Sequence, residues 1–143
     1  MSWLALAMVL VQFAVVLGRY VVGLGSVPVQ ESILYSHAFL FLLGAAYTLQ
    51  RDGHVRVDIF YVKVGDKARA AIDLLGSLFL LLPVCVGIFL LSWTYVTGSW
   101  SISETSWESS GLPFLYGLKT AILVFCAMMI LQGISIALKS ALI

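Results

Sequence analysis

Four long runs of apolar residues limit what this sequence can fold into. A helix of about 20 apolar residues crosses the ~30 Å hydrocarbon core of a bilayer. Runs of this length lie at about 2–22, 32–50, 71–98 and 115–139. Because the hydrocarbon contains no water, backbone polar groups must pair within their own segment, which favours helices. We therefore predict an all-α integral membrane protein with four transmembrane helices.

The composition favours one membrane domain over a soluble one. Hydrophobic residues make up 62% of the 143 residues and charged residues only 10%. A soluble domain of this length cannot bury so large an apolar fraction. We predict that residues 1–143 form a single four-helix membrane domain. The first run lacks a basic segment before it and an A-x-A-like cleavage site after it, so we expect a retained helix and not a secretory signal.

The basic residues predict how the chain is oriented. The connection at 51–70 carries five of the eight Lys and Arg residues: Arg51, Arg56, Lys63, Lys67 and Arg69. The connections at 23–31 and 98–116 carry none. Short loops rich in Lys and Arg stay on the cytoplasmic side of a membrane. Residues 51–70 are therefore the predicted cytoplasmic loop, and both termini are predicted to be cytoplasmic.

Both longer connections show patterns typical of short interfacial helices. In the cytoplasmic loop the apolar residues follow helical spacing (Val57, Phe60, Tyr61 and Val64). This spacing predicts a helix lying in the interface, with its basic residues toward lipid headgroups. Toward the outer loop, Trp93, Trp100 and Trp107 recur every seven residues. Such tryptophans serve as membrane-interface anchors, or they form a contact surface for a partner.

Four charged residues map to the outer membrane boundary: Arg19, Glu31, Glu104 and Lys119. Charges near lipid are costly and are usually paired. We expect one ion pair between Arg19 and Glu31 and another between Glu104 and Lys119. The sequence is equally compatible with the exchanged pairs, in which Arg19 meets Glu104 and Lys119 meets Glu31. These charges would tie the helix ends together, contact a partner, or form a substrate or ion site.

The remaining polar residues argue against an enzyme or a self-contained pump. Small exporters of this length depend on a glutamate deep in the first helix, and the first run here has no acidic residue. His37, expected in the outer third of a span, and His54, in the cytoplasmic loop, form a poor haem pair. We expect His37 to make a hydrogen bond between helices. Cys85 and Cys126 fall within spans and are expected to be packing residues. We predict no catalytic residue, cofactor or metal site.

Several stretches of the sequence resemble a known family. They are "RY" (19–20), "QESILYSHAFLFLLGAAYTLQRDGHVRVDIFY" (30–61), "SWSISETS" (99–106) and "LPFLYGLKTAILVFCAMMILQGIS" (112–135). Together they are similar to the small membrane subunit of tripartite ATP-independent periplasmic (TRAP) transporters. The resemblance covers nearly the whole chain.

This resemblance implies a non-catalytic subunit of a sodium-coupled importer of organic acids in the bacterial inner membrane. The implied partners are a large multi-helix membrane subunit, a periplasmic substrate-binding protein and membrane lipids, and not nucleic acid. Motif matching for the first seven, and residue spacing and helix position for the last three, make ten residues candidates for structural or partner contacts. They are Arg19, Glu31, Glu104 and Lys119 in an outer network, His54, Arg56 and Asp58 in a cytoplasmic anchor, and Trp100, Trp107 and Gln132. The alternative hypotheses are a cofactor-bearing membrane subunit of a redox complex and a stand-alone exporter.

Overall fold

The computed structural model describes residues 2–23, 25–51, 53 and 65–142, and these residues form helices and connecting turns with no strand. Four helices are long and apolar enough to cross a membrane. They are α1 (Ser2–Leu17, continued by a π-helical turn at Gly18–Val22), α2 (Val27–Gln50), α3 (Asp66–Ser101) and α4 (Leu115–Ala141). The predicted all-α fold with four spans is confirmed.

A glycine ends the first helical segment. Gly23 has a φ of 72°, and its N–H donates to the carbonyl of Gly18. A residue with a side chain is strained in this left-handed conformation, whereas glycine adopts it freely. The chain can therefore leave the helix there and enter the short connection to α2.

The second helix begins five residues earlier than predicted. Pro28 lies in its first turn, and Ser26 before it has an extended backbone. Proline suits the first turn of a helix for two reasons. Backbone N–H groups in that turn have no acceptor within the helix, so the absence of one costs nothing, and the φ of proline is already helical. As a result His37 lies near the middle of the α2 helix.

The third helix is longer than its apolar run. It starts at Asp66 and ends at Ser101, whereas the predicted span is 71–98. At 1.5 Å per residue its 36 residues extend about 54 Å, so its ends project beyond a ~30 Å hydrocarbon core. Pro83 would interrupt a regular α-helix, but a π-helical turn at Ser77–Leu81 precedes it, and Leu82 donates to the carbonyl of Ser77. Such local adjustment lets transmembrane helices accommodate proline.

The helices pack as an open row. The principal contacts run from α1 to α2, from α2 to α4, and from α4 to α3. One cluster of buried residues joins three helices through Ala46 of α2, Cys85 of α3 and Met129 of α4. Cys126, also a free thiol, is fully buried on α4. No residue of α1 between Ala5 and Val22 is buried. Much of the apolar surface therefore remains open to lipid or to another protein.

The interfacial helix expected in the outer loop is not found. Residues 102–114 form turns and bends without a helix. Trp93 and Trp100 lie on α3 and Trp107 lies in the loop, so the seven-residue spacing does not mark one helical face. The helix predicted from Val57 to Val64 lies outside the described residues.

Substituting Gly133 by leucine should destabilise the protein. A Cβ added at Gly133 would lie 2.9 Å from Leu81 Cδ2 and 3.2 Å from Leu82 Cδ2, so a leucine would push α4 away from α3. We expect the free energy of unfolding to fall by about 1–3 kcal/mol, measured by chemical unfolding in detergent micelles. Gly87→Leu is the matched control because a Cβ there meets nothing within 4 Å. Equal losses in both variants would contradict close packing at Gly133.

Candidate functional site

The α3–α4 loop, residues 102–114, is closed by its own backbone hydrogen bonds. Ser106 N donates to the carbonyl of Leu112 at 3.2 Å, and Gly111 N donates to that of Glu108 at 3.0 Å. Ser103 has a positive φ of 48°, and the N–H of Glu104 after it donates to the carbonyl of Ser99 at the end of α3. The loop is thus a compact turn.

Glu31 on α2 holds this loop with both of its carboxylate oxygens. The hydroxyl of Ser106 donates to Oε1, and the backbone N–H of Leu112 donates to Oε2 at 2.6 Å. A Cβ on Gly111 would lie 2.8 Å from Oε1, so the loop approaches the carboxylate too closely for a larger residue there. Hydrogen bonds to a charged acceptor are stronger than neutral ones. Glu31 therefore ties α2 to the loop between α3 and α4.

An ion pair ties the same loop to α4. The ammonium of Lys119 donates to Oε2 of Glu104, and these side chains are 11% and 18% exposed. The ammonium also lies 4.0 Å from the centroid of the Tyr95 ring on α3, an arrangement in which the ring face attracts the cation. The hydrogen bond from Lys119 lowers the pKa of the Glu104 carboxyl below its ordinary value.

The two candidate tryptophans have different environments. Trp100 Nε1 donates to Thr120 Oγ1 at 2.8 Å, and its ring meets that of Tyr116 edge-on with centroids 4.6 Å apart. Trp107 is 92% exposed. Trp100 therefore fastens the end of α3 to α4, whereas Trp107 is a large apolar side chain free to contact another molecule.

The other candidates do not join this cluster. The predicted pair of Arg19 and Glu31 is not formed, because Glu31 binds the loop. Arg19 is exposed and has no partner among the described residues. Gln132 is half-buried on α4. His54, Arg56 and Asp58 lie outside the described residues.

A groove of about 580 Å³ opens beneath the loop, with Glu104 and Lys119 among its lining residues and apolar side chains such as Leu118 and Ile122 around them. Because Glu104 already neutralises Lys119, the groove presents no unpaired cation to an anionic substrate. Within the described ranges no three His, Cys, Asp or Glu side chains come close enough to hold a metal ion. The arrangement holds helices and a loop together and offers no groups for a reaction.

Several residues of this cluster were not identified from the sequence: Tyr95, Ser106, Gly111, Leu112 and Thr120. Ser106 and Leu112 lie 75 and 81 positions from the carboxylate that they bind. No helical or strand periodicity connects residues so far apart in the chain. The residues "SSGLP" (109–113) are typical of a turn, but no sequence signal shows what that turn contacts.

Fold and cluster together define the class. This is a helical membrane protein that spans the bilayer several times, and its Glu31, Glu104 and Lys119 side chains bind its own loop and helices. Residues 8–142 match the family described as tripartite ATP-independent periplasmic transporters, DctQ component, and the chain belongs to that family. This is the small membrane component of TRAP transporters, a transporter component and not an enzyme. No curated protein matches the chain.

Replacing Glu31 by alanine should release the α3–α4 loop. Ser106 and the N–H of Leu112 lose their acceptor, so amide hydrogen exchange across 106–112 should accelerate at least tenfold while exchange in the middle of α4 is unchanged. Hydrogen exchange followed by mass spectrometry measures this. Glu108→Ala is the control, since the Glu108 side chain is exposed and makes no contact among the described residues. Equal protection in both variants would show that Glu31 does not hold the loop.

The stabilising effect of Glu104 should disappear in acid. Its pKa is lowered in the folded protein, so its contribution is complete above the ordinary carboxyl value of 4.5 and is lost as pH falls through the lower, folded value. Wild-type protein should therefore melt at a higher temperature than Glu104→Gln at pH 7, and the difference should shrink as the pH falls below 4.5. Glu108→Gln should show no such difference. A gap that widens in acid would contradict the ion pair.

Proposed function

We propose that this chain is the non-catalytic small subunit of a sodium-coupled secondary importer of organic acids. In this role it packs against and stabilises the large transport subunit and helps dock the periplasmic substrate-binding protein. The observation that carries the proposal is the family match across residues 8–142. The redox alternative is set aside because the family is a transporter component.

Charge placement supports an orientation in the bacterial inner membrane. The Lys and Arg residues concentrated at 51–70 favour a cytoplasmic location for that segment. With four spans, both termini are then cytoplasmic and the α3–α4 loop is periplasmic. A periplasmic loop is the part of the chain that a soluble binding protein reaches.

The α3–α4 loop suits docking because it is held in one conformation and exposes a large aromatic side chain. Glu31, Glu104 and Lys119 fix it to α2 and α4, so little conformational freedom is lost when a partner binds. Trp107 projects from the fixed loop and is 92% exposed. Tryptophan is among the residue types that contribute most to protein interfaces.

Transport chemistry is assigned to the large subunit because the described helices of this chain carry no acidic residue far from their ends. Their carboxylates are those of Glu31, Asp66 and Asp73, and Glu31 is occupied by the loop. Proton relays of pumps and transporters commonly use acidic residues within the membrane. A subunit that positions other parts of the complex needs none.

Reconstitution tests this function directly. Proteoliposomes with the chain, the large subunit and the binding protein should take up an organic acid when a sodium gradient is applied, and the chain alone should transport nothing. Trp107→Ala should raise the binding-protein concentration needed for half-maximal uptake by about tenfold, as expected for an interface tryptophan.

Trp93→Ala is the matched control, because Trp93 is 51% exposed on α3 and lies outside the loop. Transport by the chain alone would contradict the proposal. Equal effects of the two substitutions would remove Trp107 from the docking surface.

A further inference from the structure

A second groove lies between α1 and α2, at the free edge of the helix row. It encloses about 640 Å³, and its walls are mainly apolar side chains such as Val9, Phe13 and Leu34. Three polar side chains also line it: Gln12 from α1, and Gln30 and His37 from α2. The edge formed by α1 and α2 is therefore not a uniformly apolar surface.

Gln12 and His37 lie far from the ends of two helical segments that are long and apolar enough to cross a membrane. Each is close to the middle of its helical segment, Ser2–Val22 for Gln12 and Val27–Gln50 for His37. At 1.5 Å per residue, at least about 15 Å of helix extends from each residue in both directions. The bilayer centre contains neither water nor headgroups to which these side chains could donate or from which they could accept.

Neither side chain is satisfied within the described protein. Both are exposed, and neither has a hydrogen-bond partner among the described residues. The imidazole of His37 only stacks on Phe41, with ring centroids 6.4 Å apart. By contrast, Thr48 and Ser77 donate to carbonyls of their own helices at 2.9 and 3.0 Å. Although His37 also lines the groove beneath the α3–α4 loop, the hydrogen bond predicted for it between helices is not formed among the described residues.

We propose that the α1–α2 groove receives a transmembrane helix of the large membrane subunit, which presents hydrogen-bonding side chains to Gln12 and His37. This inference rests on the function proposed above. A glutamine amide both donates and accepts, and so does a neutral imidazole. The matching helix therefore carries Ser, Thr, Asn or Gln at mid-membrane depth, with small residues that allow close approach.

The polar side chains that line the groove favour a transmembrane helix over lipid as its occupant. Acyl chains have no donor or acceptor, so lipid would leave Gln12 and His37 unsatisfied, and unsatisfied polar groups are costly in hydrocarbon. The packing of α1 also favours a protein helix as the occupant. The α1 helix packs principally on α2, and none of its residues from Ala5 to Val22 is buried. A neighbouring helix would give α1 its second packing surface.

Photocrosslinking in the intact complex tests the location. A photoreactive residue is placed at Phe13 or Leu34 in the groove, or at Leu91 on α3 and Leu131 on α4 as exposed apolar controls. With the large subunit co-expressed in membranes, the groove positions should crosslink to it and the controls should not.

Crosslinks from the groove only to lipid, or to a differently tagged second copy, would overturn the inference. If the complex still purifies in that case, the proposed function stands. A large subunit that never copurifies would overturn both.

Substitutions test the hydrogen bonds. Gln12→Leu and His37→Leu should each reduce the large subunit retained on the tagged chain by about threefold, the size of a typical interhelical hydrogen bond in membranes. The thermal midpoint of the purified chain alone should stay equal or rise, since each change removes a polar group from an exposed surface. His37→Gln should restore retention.

Thr97→Val is the control, because Thr97 is exposed on α3 and donates to the carbonyl of Trp93 in its own helix at 3.0 Å. It should leave retention unchanged. A drop in the midpoint of the chain alone with unchanged retention would place Gln12 and His37 in the internal fold and overturn the inference.

Discussion

The hydrocarbon core of the membrane provides no hydrogen-bonding partner, and this constraint shapes the whole protein. Backbone groups in the described spans pair within four long helices. Hydroxyls such as that of Thr48 donate to carbonyls one turn earlier. At the membrane boundary, Lys119 pairs with Glu104, and Glu31 accepts from Ser106 and Leu112. Our further inference applies the same constraint to polar groups that find no partner within the described chain.

The open row of helices suits a protein that works as part of a larger assembly. The few buried apolar residues among those described lie on α2, α3 and α4, and α1 is held mainly by α2. A transporter acting alone would enclose its substrate path between helices. Here, polar contacts fix one loop, and long apolar faces remain uncovered. Both features agree with membership in a family of small transporter components.

Local sequence patterns predicted the number of helices correctly, but not the residues at which the helices begin and end. The number of spans followed from run length, yet α2 and α3 both begin five residues before their apolar runs. Pro28 and Asp66 suit the first turn of a helix, so helix formation extends past the residues that lie in lipid. The interfacial helix expected in the outer loop is absent from residues 102–114, since Trp93 and Trp100 belong to α3 and only Trp107 lies in the loop.

The sequence alone determined the membrane class, the four helices and the family, because hydropathy and motifs are properties of neighbouring residues. Tertiary structure decided which charges pair and which polar groups stay exposed. Glu31 binds residues 75 and 81 positions away and not Arg19, and Trp100 is fastened to α4 while Trp107 projects outward. These choices depend on the distances between helix ends after packing, and no local pattern of residues encodes those distances.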